Sequence, residues 1–291
     1  MQAELIVDAR NAVGESPVWV PEENALYWVD IPNGVLQRWD AAHGLVKRWK
    51  GAQMLACIAR HNQGGWVAGM ETGFFQLNTH DGDRLEATAL ASVEHTRPDM
   101  RLNDGRCDRQ GRFWAGSMVL NMDANAAEGV LYRYATGETP RAVLHDFVTP
   151  NGLAFSPDGR TMYLSDSHPS VQRIWAFDYD TDTGTPSNRR EFVDMNHHLG
   201  RPDGAAIDAE GCYWICANDA GLVHRFTPDG RLDRSLSVPV KKPTMCAFGG
   251  SQLDTLFVTS IRDDNTQYSV AGGVFALNPG VKGLEEPTFT L

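Results

Sequence analysis

The chain has 291 residues, of which 42% are hydrophobic and 22% charged, a globular balance that excludes a disordered chain. Its 26 Lys and Arg against 37 Asp and Glu leave a net charge of −11, which argues against nucleic acid and against an anionic membrane surface as partners. No apolar run approaches the roughly 18 residues of a membrane-crossing helix.

The N-terminal segment carries Glu4, Asp8 and Arg10 around a short apolar stretch, without the basic start and apolar centre of an export signal. Five scattered cysteines, Cys57, Cys107, Cys212, Cys216 and Cys246, are an odd number. Together these features predict reduced thiols and a cytoplasmic location. Cys212 and Cys216 lie in GCYWICAN, which reads as a strand, so they are expected to be buried structural residues rather than a metal pair. Nothing in the sequence marks an obligate protein partner.

In chain order, a strand-like ELIVDA comes first, followed by six segments that share one pattern. They are SPVWVPEENALYWVDIPNGVLQRWD, LACIARHNQGGWVAGMETGFFQLN, DGRCDRQGRFWAGSM, NGLAFSPDGRTMYLSDSHPSVQRIWAFD, DGAAIDAEGCYWICANDAGLVHRFTPDG and TMCAFGGSQLDTLFVTSI. Each has a short apolar strand, a polar turn and an aromatic-rich strand. A third strand follows, delayed in the third unit by an insertion around Val119–Glu128 and in the last unit before GGVFALN. Anchors on the second strands, Trp28, Val67, Trp114, Leu164, Trp214 and Val258, are spaced 39, 47, 50, 50 and 44 residues apart. Repeats of this length with several short strands predict an all-β, six-bladed β-propeller, with four-stranded blades around a central channel. Six units occupy residues 1–291 as one domain. ELIVDA is expected to supply the outer strand of the last blade and close the ring.

Counting back 13 or 11 residues from four of the six anchors gives Glu15, Asn103, Asn151 and Asp203, each opening an inner strand, whereas the other two anchors give Met54 and Met245. In a propeller these positions face the channel. Two carboxylates and two amide oxygens suit one divalent cation: Ca²⁺ or Mg²⁺, with Mn²⁺, Fe²⁺ or Zn²⁺ also compatible. Asn103-Asp104-Gly105, Asn151-Gly152 and Asp203-Gly204 are also ordinary turn signals. The hairpin turns, however, are already assigned to PEEN, DRQG, SPDG and DAEG. Asp104 is expected to point away from the channel and be structural. The sequence has no G-x-S-x-G, no H-E-x-x-H and no P-loop.

GESPVW, RLNDGRCDRQGRFWAGSM, NGLAFSPDGRTMYLSD and RPDGAAIDAEG, in this order, resemble the regucalcin (senescence marker protein)/gluconolactonase family over nearly the whole chain. The resemblance implies a six-bladed propeller with one divalent cation, acting on a sugar lactone. The family's metal-site Glu, Asn and Asp would be Glu15, Asn151 and Asp203. Its second Asn, near metal and substrate, would be Asn103, and its substrate-contacting Arg would be Arg101. Animal regucalcins carry a substrate-holding Glu where this chain has Asn121, so the animal substrate preference is not carried over. The resemblance implies metal-assisted hydrolysis, with Asp203 or the cation itself activating water. Asn121 and His197 or His198 are expected hydroxyl contacts, and the 122–128 insertion is expected to help cover the channel mouth. The alternatives are organophosphate hydrolysis, which needs an apolar pocket, and a calcium-binding or scaffold propeller without turnover.

Overall fold

The computed structural model describes residues 3–80, 82–263 and 269–290. Among these the chain forms six four-stranded antiparallel sheets. The inner strands are Gly14–Val20, Leu55–Arg60, Met100–Cys107, Pro150–Phe155, Arg201–Ile207 and Pro243–Gly249. Each packs beside the next, and the sixth packs beside the first, so the sheets form a six-bladed propeller. In the first five blades the remaining strands follow outward in sequence order. The sixth blade ends with Glu4–Val7 paired to Val274–Leu277, so the N-terminal strand closes the ring and covers an edge that would otherwise stay unpaired. No helix among the described residues is long and apolar enough to cross a membrane.

The aromatic repeat has a packing explanation. Second strands are buried on both faces, between the inner and third strands in the sheet and between neighbouring blades above and below it. Trp28, Trp114 and Trp214 are completely buried there. The polar turns ahead of these strands are anchored by carboxylates. Asp208 accepts the backbone N–H groups of Glu210 and Cys212, the indole N–H of Trp214 at 2.8 Å and the Nε–H of Arg225 at 2.8 Å. Asp108 repeats the arrangement with the backbone of Gln110 and Arg112, the Trp114 indole and the Tyr179 hydroxyl. Gly111, Gly159 and Gly211 end these turns at φ of 86°, 71° and 79°, a left-handed conformation that glycine adopts without strain. The five cysteines are free and buried; Cys212 sits in a turn, one residue ahead of the strand that contains Cys216.

The Asx-Gly steps have a different structural role from hairpin turns. All six inner strands shift register against their second strands near the positions counted from the repeat: between Glu15 and Val18, Leu55 and Cys57, Leu102 and Gly105, Asn151 and Ala154, Pro202 and Ala205, and Pro243 and Cys246. These are β-bulges, which re-aim a side chain out of the regular alternation. Ser16 and Gly152, directly after Glu15 and Asn151, have φ of 49° and 60°. The turn-like composition therefore marks a kink at the channel wall.

Candidate functional site

Five of the six bulged inner strands, all but that of the second blade, contribute side chains to one pocket of about 530 Å³ at the end of the channel where the inner strands begin. Its walls follow the blade register. Glu15, Asn103, Asn151 and Asp203 form one tier. Two residues earlier in the same four blades, Val13, Arg101, Thr149 and Arg201, at or just before the starts of the inner strands, form a second tier. The ends of the second strands add Met118, Ser167, Asn218 and the apolar pair Ile31 and Ile261. The backbone entering two of the blades is clamped from below. The Asp30 carboxylate accepts the N–H groups of Ala12 and Val13, and Asp166 accepts those of Val148 and Thr149.

Hydrogen bonds link the first tier. Arg101 donates through Nη1 to the Asn103 side-chain oxygen at 2.7 Å. Asn103 donates in turn to the Asn151 side-chain oxygen at 3.2 Å and to the Pro150 carbonyl at 3.1 Å. Asn103 thus bridges the guanidinium and the second amide. On the opposite side, Asn218 donates to Asp203 Oδ2 at 2.7 Å. The Glu15 carboxylate accepts the Ser16 N–H at 2.9 Å. Asp104 points the other way, taking the Leu153 N–H at 2.9 Å, as strand alternation predicts for a structural residue.

The electrostatics follow from burial. Desolvation, then repulsion from Asp203 and Asp104, pushes the Glu15 carboxyl well above the usual range. Burial pushes Asp203 up to about 7, opposed by the Asn218 hydrogen bond and the Arg201 charge. Burial lowers Arg101 to about 10, resisted by Glu15 and Asp203. Two buried carboxylates facing one cavity are costly unless a cation lies between them. Among the described residues no cluster of three His, Cys, Asp or Glu side chains could hold a metal, so a cation here needs the amide oxygens beside the two carboxylates. This hard, all-oxygen donor set fits a divalent cation.

A family model described as the SMP-30/gluconolactonase/LRE-like region matches residues 13–262. The chain belongs to this family. It is similar to a 6-deoxy-6-sulfogluconolactonase of Pseudomonas putida, at 38% identity over 98% of this chain and 97% of that protein. It is 33% identical to human regucalcin, over 98% of this chain and 97% of that one. A solved structure of the calcium-binding protein regucalcin from Agrobacterium tumefaciens aligns with a TM-score of 0.91 and 30% identity, over 99% of this chain and 97% of that chain.

Within this SMP-30/gluconolactonase fold, three expected contacts lie outside the pocket wall. Asn121 is exposed, and its side-chain oxygen accepts the Asp123 N–H at 3.1 Å, capping the short 3₁₀ turn Met122–Ala124. An Asn before such a turn satisfies one of its free N–H groups. Met122, the next residue, lines the pocket instead. His197 is exposed beside Asp194, and His198 packs against His224 and Phe226. The insertion leans on the next blade: His168 Nε2 bonds to the Met122 carbonyl at 3.1 Å, and Ser170 donates to Asn125 at 2.8 Å.

Sequence reasoning missed Arg201, Asn218, Thr149 and Ser167. Arg201 was recoverable, since it stands two residues before Asp203 as Arg101 stands two before Asn103. Asn218 carried no signal, because its side chain matters only through a strand pairing that sets it opposite Arg201.

Proposed function

We propose that this protein hydrolyses a sugar lactone to the open aldonic acid, as a step of carbohydrate catabolism. One divalent cation would be held by Glu15, Asn151 and Asp203, with Asn103 beside it. The observation that carries this reading is the convergence of two buried carboxylates, two amides and Arg101 on one open pocket. The similarity to a sulfogluconolactonase and to regucalcins supports it.

When bound, the cation supplies Lewis acidity to the lactone carbonyl and steadies the negative charge that develops on its oxygen. Asp203 accepts the proton of the attacking water as the new C–O bond forms. Asn218 occupies Oδ2 and fixes the orientation of the carboxylate, so Oδ1 is the oxygen that would face both the cation and the attacking water. The ring C–O bond then breaks, and the proton held by Asp203 passes to the departing ring oxygen. Arg101 is pinned through Nη1 by Asn103 and the Leu102 carbonyl, which holds its remaining N–H groups toward substrate oxygens. Arg101 and Thr149 supply polar groups that suit the hydroxyls of a sugar lactone.

Proton release from a panel of sugar lactones, with each of several divalent metals and with chelator, tests the reading. Activity that requires metal and falls at least about 100-fold in Asp203→Ala is the expected result. Turnover unaffected by chelator would refute the metal role. Near-normal turnover of Asp203→Asn at saturating metal would refute Asp203 as the base.

A further inference from the structure

Arg201 is an element of the pocket that lactone hydrolysis as such does not require. It lies one blade beyond Asn151, in the same tier as Arg101, and lines the pocket. Its anchoring differs from that of Arg101. Nε donates to Asp219 Oδ2 at 2.6 Å, Nη1 to the Ser167 carbonyl at 3.2 Å, and Nη2 approaches the Asn218 side-chain oxygen at 3.4 Å. Five guanidinium N–H groups thus meet three partners, and the side chain keeps 19% of its surface exposed.

The charge at this wall is unbalanced. Asp219 is shared between Arg201 and Lys242, whose Nζ lies 3.7 Å from it, so two cations face one carboxylate. Deeper in the pocket, Glu15 and Asp203 would be neutralised by a bound divalent cation, leaving Arg101 as a second uncompensated positive charge. With that cation bound, a chain whose net charge is −11 would carry net positive charge in this one pocket. Sugar hydroxyls alone do not call for that excess, whereas an oxyanion does.

We propose that Arg201 forms an anion subsite, and that the preferred substrate is a sugar lactone bearing a terminal oxyanion remote from the carbonyl. The inference rests on the lactonase reading. In it Arg201 receives the oxyanion through its free N–H groups, Asp219 holds the guanidinium in place, and Arg101 serves the lactone end.

The test compares glucono-1,5-lactone with its 6-phospho and 6-sulfo analogues and with a glucarolactone carrying a carboxylate. Wild-type enzyme should give a higher kcat/KM for at least one anionic lactone. In Arg201→Gln the ratio of anionic to neutral kcat/KM should drop about 10- to 100-fold, with the loss mainly in KM. Arg201→Lys should restore part of that ratio. The order among phosphate, sulfonate and carboxylate identifies the oxyanion. A loss shared equally by neutral and anionic lactones would overturn the proposal, because Arg201 would then act through Asn218 on Asp203. A wild-type preference for the neutral lactone would also overturn it. If no lactone is turned over, the lactonase reading fails, and calorimetric binding of 6-phosphogluconate against gluconate still decides the subsite. Tighter binding of the phosphorylated acid, lost in Arg201→Gln, supports it; equal binding refutes it.

Discussion

Asn218 donates to Asp203 Oδ2 at 2.7 Å across two strands of one blade, while Arg201 approaches the other end of the same amide. The amide is held between a cation and a carboxylate, and its donor end faces the acid. This orients one Asp203 oxygen and opposes the rise in its pKa that burial imposes.

Replacing Asn218 with Ala removes a hydrogen bond to a charged group, worth about 1.5–3 kcal/mol. The variant should lose roughly 10- to 150-fold in kcat/KM at saturating metal. Asn218→Asp, which puts a third carboxylate beside Asp203, should bind metal but lose more rate than Asn218→Gln. Steady-state kinetics with a metal titration checks both.

The metal-free protein should have a distinctive pH dependence. Asp203 is pushed up to about 7 and Glu15 well above the usual range, whereas both titrate near about 4 in the unfolded chain. The unfolded state therefore releases these protons first. The contribution of these two carboxyls is complete below about pH 4 and is lost as pH rises through about 7. Tm of chelated protein should fall by roughly 5 °C or more between about pH 5.5 and 8.5, and added divalent cation should flatten the curve. Differential scanning fluorimetry over that range, with and without metal, measures it.

Asp208 is completely buried and takes bonds from Trp214, Arg225 and two backbone N–H groups. Asp208→Ala would strand the Arg225 cation, whose other partners, Glu210 and Asp233, are more exposed. A loss of about 3–5 kcal/mol in urea unfolding is expected. Asp208→Asn, which still accepts hydrogen bonds, should lose less.

Deleting Glu4–Val7 exposes the edge strand Val274–Leu277 and unties the sixth blade from the ring. Tm should drop by roughly 5–10 °C and the protein should self-associate more, as an unpaired edge invites. Thermal melts and size-exclusion chromatography report both effects.

The propeller was legible because its cause is repeated six times along the chain. An aromatic second strand must be buried, a polar turn must precede it, and the spacing of Trp28, Trp114 and Trp214 follows from those demands. The same period placed Glu15, Asn103, Asn151 and Asp203 at equivalent positions, and the structure brings all four to one pocket. Register alone therefore assembled residues that lie far apart in sequence. It could not show that Asn103-Asp104-Gly105 and Asn151-Gly152 are bulges rather than turns, because both conformations draw on the same residues. Nor could it show that Asn121 spends its oxygen on a backbone N–H while Met122 faces the pocket. Asn218 and Arg201 acquire their roles only by pairing across strands, where 17 residues of sequence separate two side chains held 3.4 Å apart. Periodicity reports which positions face the channel; which atoms each side chain meets there depends on bulges, caps and cross-strand partners, and those exist only once the blades have closed into a ring.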